Sequence, residues 1–262
     1  MGVLVGLLYA EVLADLAHNW WTDPRASYGL IIPPLAIFLA WQNRERTLRQ
    51  PVKSSSGGLV MVGFACLLYL LGKLGAEFFL QRISFVMLIV GLVWTFWGAV
   101  RLRSLAFPLL LLATMVPLPA LLYNALSTPL QLFASNAATS LAQGLGVSVY
   151  RDGNIINLAG ISLGVEEACS GLNSLSAMMV GGLLLGFLHC NRMWSRWLVF
   201  LLSIPLAIGM NVLRIAGTAV IADYQERFAL GFYHSFSGWL VFVCGFALLY
   251  GFALIFHRFL ES

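Results

Sequence analysis

The chain has 262 residues, of which 60% are hydrophobic and 10% charged, with a formal net charge of +4. A soluble domain carries about a quarter charged residues, so this composition excludes a soluble fold and puts most of the chain in lipid. The small basic excess is what the cytoplasmic loops of a membrane protein supply; it names the lipid bilayer as a partner and no nucleic acid.

Apolar runs long enough for a helix to cross about 30 Å of hydrocarbon fall at roughly 1–18, 27–41, 58–76, 83–100, 104–122, 170–189, 196–215 and 236–257. The first starts at Met1 with no basic stretch and no small-residue cleavage site, and reads as a retained span. The second is short and holds Pro33 and Pro34, as a kinked or partial crossing does. After the fifth run, Leu118-Pro-Ala opens an amphipathic segment from about Asn124 to Gln143, expected as a helix near the membrane surface. Then the period changes: Val147-Ser-Val-Tyr, Arg151-Asp-Gly-Asn, Ile155-Ile-Asn-Leu and Ile161-Ser-Leu-Gly-Val. Asp-Gly between β-branched runs predicts a hairpin, and its open edges require an aqueous face. The expected fold is an all-α polytopic membrane protein of about eight transmembrane helices, with a short extracytoplasmic β-hairpin before Cys169. Neither repeats nor low-complexity linkers interrupt it, so residues 1–262 read as a single domain.

Basic residues in short loops set orientation. If eight spans alternate, Arg44, Arg46, Arg49, Lys53, Arg101, Arg103, Arg192, Arg196 and Arg258 all fall on one side. Both termini are then cytoplasmic, and the hairpin faces outward.

Cys169 stands in Val165-Glu-Glu-Ala-Cys-Ser-Gly-Leu-Asn-Ser-Leu, where the hairpin ends and the sixth span begins. The start of a helix offers free N–H groups and partial positive charge, which favour a thiolate and can bind an oxyanion. Cys66 and Cys244 lie within apolar runs as small fillers, and Cys190 lies at the inner end of the sixth. The four cysteines contain no C-x-x-C pair and no zinc spacing, so neither metal, cofactor nor disulfide framework is indicated. Arg214 comes eighteen residues after Arg196, about 27 Å at helical rise, at the outer boundary if Arg196 marks the inner one. Asn211 shares its face. His234 precedes the last span. Cys169, Arg214 and His234 thus meet at one depth from three helices: a nucleophile, a proton carrier and an oxyanion cation. Asn173 and Asn211 are second donors. Glu166 and Glu167 orient His234, bind substrate, or simply favour the helix start.

These residues resemble the exosortase/archaeosortase family. The resemblance runs through Ser27-Tyr-Gly-Leu-Ile-Ile-Pro, Val116-Pro-Leu-Pro, Pro129-Leu-Gln, Gly153-Asn-Ile-Ile, Glu167-Ala-Cys-Ser-Gly, Asn211-Val-Leu-Arg and His234. It implies a membrane-embedded cysteine protease/transpeptidase of the bacterial inner membrane, with Cys169, Arg214 and His234 in the catalytic roles and its site on the periplasmic side. Its partners are then membrane-anchored protein substrates whose C-terminal sorting signal is a short motif, often Pro-Glu-Pro, a transmembrane helix and a basic cluster. The family is linked to exopolysaccharide and biofilm export. Two positions depart from its usual pattern: Tyr28, where a histidine is common, and Asn173, where a basic residue is frequent. The competing readings are a transporter and a non-catalytic scaffold for polysaccharide export; the second predicts that Cys169 can be replaced freely.

Overall fold

In lipid a backbone bonds within its own segment, and the chain answers with helix. The computed structural model describes residues 2–165, 171–225 and 232–260, and the described residues hold eleven α-helices and one three-stranded sheet. Five helices are long and apolar enough to cross a membrane: Gly57–Leu74, Phe78–Ser104, Leu172–His189, Met193–Tyr224 and Phe236–Phe259. They match five of the expected crossings. The chain forms two compact units, Met1–Pro119 and Ala120–Ser262.

In the first unit, the expected opening span is two helices, α1 (Gly2–Leu8) and α2 (Ala10–Thr22). They part at Tyr9, whose φ of −101° and ψ of 11° are not helical. Its buried hydroxyl sits 2.9 Å from Ser84 Oγ, and its ring meets those of Tyr69 and Phe85. Pro33 and Pro34 fall in the first turn of α3 (Ile32–Gln42), where missing N–H groups cost least. The short α4 (Arg44–Leu48) comes next. The hairpin of α5 (Gly57–Leu74) and α6 (Phe78–Ser104) closes over glycines: Gly58 lies against Thr95, Gly72 against Gln81 and Gly91 against Val62. Small residues let backbones approach where lipid offers no hydrophobic drive. The Glu77 carboxylate caps α6, accepting from the N–H groups of Phe79 at 2.8 Å and Leu80 at 3.2 Å. Gly98 breaks α6 with φ 80° and ψ 171°, and a Cβ there would run into the Lys53 carbonyl. The Arg101 guanidinium donates to the carbonyls of Leu48 and Gln50 from the next turn. The expected fifth span is represented by the eight-residue α7 (Ala106–Ala113), which ends before Pro117 and Pro119.

In the second unit, the amphipathic segment is α8 (Ala120–Gly144). Its buried stripe is made of small residues, Ser127, Ala134, Ser135, Ala138, Thr139 and Ala142. The strands β1 (Tyr150–Asp152), β2 (Ile155–Asn157) and β3 (Ser162–Gly164) form an antiparallel meander, one strand more than the expected hairpin. Ile156, opposite Arg151 and Leu163, is fully buried and shares a core with Ala134, Ala138, Val165, Ile215 and Ala219. Helices α9 (Leu172–His189), α10 (Met193–Tyr224) and α11 (Phe232–Leu260) complete the unit, and α10 packs against α8, α9 and α11.

Candidate active site

The sheet fixes where the Cys169 segment begins. Val165 is buried and held from both sides by Asn154: its N–H donates to the Asn154 carbonyl at 2.8 Å, and its carbonyl accepts from Asn154 Nδ2 at 3.1 Å. Ser135 on α8 donates to the carbonyl of Gly153, just before this clamp, at 3.2 Å. Cys169, Glu166 and Glu167 lie outside the described residues.

On the other side of that segment stands Gly171, the N-cap of α9, with φ 83° and ψ −6°. That left-handed conformation costs a residue bearing a Cβ about 1–2 kcal/mol, and the space is closed as well. A Cβ on Gly171 would stand 2.7 Å from Asn211 Nδ2 and 2.8 Å from its Cγ. Asn211 is 5% exposed, so its carboxamide is wedged against the first turn of the helix that Cys169 precedes.

Arg214 lies one turn further along α10. It is half-buried, with Nε shielded from solvent. Its guanidinium lies against Gly238 of α11: a Cβ there would be 3.4 Å from Cζ and from Nη1. Asn211 and Arg214 share a cavity of about 20 Å³ with Ser174 and Met178 from α9 and with Gly238 and Phe242 from α11. Three helices therefore meet at this pair. Arg214 does not end its helix, however: α10 continues ten residues to Tyr224, about 15 Å at helical rise.

His234 falls in the first turn of α11, one turn before Gly238; its side chain is outside the described residues. The Asn173 Oδ1 accepts from the Tyr123 hydroxyl of α8 at 3.0 Å, which makes Asn173 a tie between helices. Gly238 and Tyr123 escaped the sequence reading, as did the left-handed turn at Gly171 and its contact with Asn211. Only Gly171 had a visible signal, a glycine two residues after the cysteine in Glu167-Ala-Cys-Ser-Gly. Among the described residues, no group of three or more His, Cys, Asp or Glu side chains gathers as metal ligands. Chemically, the described part offers a fixed cation and a buried carboxamide beside a helix N-terminus, a setting suited to a carbonyl oxygen that gains negative charge.

The model of one family, transmembrane exosortase, matches residues 20–251. No curated protein and no solved structure matches the chain.

Proposed function

We propose, from the premise that the chain belongs to the transmembrane exosortase family, that it is a cysteine peptidase/transpeptidase acting on exported, membrane-anchored proteins. The Cys169 thiolate attacks the carbonyl carbon of the substrate peptide bond, and Arg214 balances the oxyanion. His234 hands a proton to the departing amine as the C–N bond breaks, and water or an acceptor amine then releases the acyl group from sulfur. Glu166 and Glu167 orient His234 or bind substrate, Asn211 sets the start of α9, and Asn173 holds α9 to α8. The substrates end in a short motif, a membrane span and a basic cluster, and serve exopolysaccharide and biofilm export. The whole chain works as one unit in the inner membrane, with eight crossings, both termini cytoplasmic and the hairpin and site periplasmic.

What carries this is the convergence at Gly171 and Gly238. The backbone two residues after Cys169 rests on Asn211, and the backbone one turn after His234 rests on the Arg214 guanidinium. A scaffold would not need a cation and a carboxamide held at those two points. The test is processing of a tagged protein with such a C-terminal signal, co-expressed with the enzyme. Cys169→Ala and His234→Ala should abolish it while the protein still inserts. Arg214→Lys keeps charge but loses the planar fork, so the rate should fall severely. Full processing by Cys169→Ala would leave the scaffold as the answer.

A further inference from the structure

On the far side of Arg214 from the small cavity, α10 and α11 part. Between them lies a groove of about 340 Å³ with apolar walls from Leu213 and Ile221 on one helix and Phe236 and Leu240 on the other, and with Arg214 in its lining. Exposed apolar side chains on a membrane span face lipid as a matter of course, so their exposure alone says nothing. What sets this face apart is its concavity and the guanidinium within it.

Two cavities lined by Asn211 measure about 20 Å³, shared with Arg214, and about 10 Å³, beside Gly171, each about one water in size. Neither admits a peptide. The groove does, and its dimensions limit how much. From Arg214 to Ile221 is seven residues of helix, about 10 Å, which is the length of about three extended residues at roughly 3.3 Å each.

We infer that this groove is a substrate subsite taking about three extended residues with apolar side chains next to the cleaved bond, with a peptide carbonyl directed at Arg214. It rests on the sorting-enzyme reading above. Charge decides the polar end: a guanidinium complements a carbonyl oxygen, and more so the oxyanion. The wall separates a peptide from a lipid acyl chain. Thr218 lines the groove, and its hydroxyl proton is committed to the Arg214 carbonyl at 2.9 Å. Its oxygen therefore presents lone pairs, which a peptide N–H can use and an acyl chain cannot.

Gly217 provides the handle. It lines the groove, and a Cβ there meets nothing within 4 Å, so a larger side chain extends into open space without disturbing the helix. Gly217→Leu and Gly217→Phe should slow processing of the tagged substrate by about tenfold or more, as occlusion of an apolar pocket does. Labelling of Cys169 by a small impermeant thiol reagent should be unchanged. Independently, benzoylphenylalanine placed at Leu240 in the Cys169→Ala protein should crosslink to the tagged precursor. Processing at the wild-type rate in Gly217→Phe, or crosslinks to phospholipid alone, would overturn the subsite. If the Phe variant loses thiol labelling through misfolding, the crosslink decides. Undiminished processing by Cys169→Ala would instead sink the enzyme itself, a separate and recognisable failure.

Discussion

Replacing Gly171 with alanine loads two costs onto one atom. The left-handed backbone charges a Cβ about 1–2 kcal/mol. The methyl also arrives 2.7 Å from Asn211 Nδ2 and 2.8 Å from Cγ, and forcing a group into packed space costs about 1–3 kcal/mol. Together the expected loss is about 2–5 kcal/mol, with the start of α9 displaced. Asn211→Ala removes those two nearest atoms and leaves its own Cβ, 3.1 Å away. The double variant should therefore recover most but not all of the steric share, about 1–2 of its roughly 1–3 kcal/mol, and keep the backbone share, a coupling within the range found for residues in contact. Denaturant unfolding in detergent, followed by tryptophan fluorescence for the wild type, both single variants and the double, measures it. Cys169 labelling on the same four proteins reports whether that cysteine moves with the turn. Strict additivity would mean that Gly171 and Asn211 do not touch, and the proposed seating of the cysteine segment would go with it.

The same geometry sets three other expectations. Gly238→Ala places its methyl at van der Waals distance from the guanidinium, 3.4 Å from Cζ, and should process substrate nearly normally, whereas Gly238→Val should push Arg214 away and lower the rate by at least about tenfold. Asn154→Ala strips the Val165 carbonyl of its side-chain donor and should cost about 1–3 kcal/mol in the same unfolding assay; an effect of a few tenths would show that the clamp is idle. Reporter fusions at Ser54 and Met193 should read cytoplasmic and one within 151–160 periplasmic, with impermeant reagent labelling Cys169 but neither Cys66 nor Cys244, which lie within apolar spans; a periplasmic Ser54 would overturn the orientation.

The long spans were legible because hydropathy is a sum, and helices such as Gly57–Leu74 and Leu172–His189 are apolar on average over eighteen residues despite single polar side chains. The same summation hides what happens at Tyr9, where the helix breaks within an apolar stretch at a residue whose hydroxyl meets Ser84, and at 114–119, where Thr114 and two prolines follow the end of α7 inside an apolar window. The Asp152-Gly153 turn announced the hairpin, while the third strand had no turn signature of its own and arises from pairing with Ile155–Asn157. The face shared by Asn211 and Arg214 was readable from helical spacing. What those side chains touch was not: Gly171 and Asn211 are forty residues apart, and contact at such separation depends on how helices cross, which periodicity along one chain does not encode.

The small sheet also governs where the chain can change length. Pairing ends at Gly164, opposite Ile155, and Cys169, the proposed nucleophile, comes five positions later in the sequence, so the register works as a ruler laid against it. A residue gained or lost within 162–164 would slip that register by about 3.3 Å, turn the third strand's side chains to the wrong face and pull Val165 off Asn154. The stretch between the second and third strands, closed by the Leu158 N–H on the Ile161 carbonyl at 2.9 Å, lies upstream of that ruler and can lengthen without moving its mark. Among related chains, insertions should therefore collect at 158–161, and the spacing from the third strand to the cysteine should stay constant.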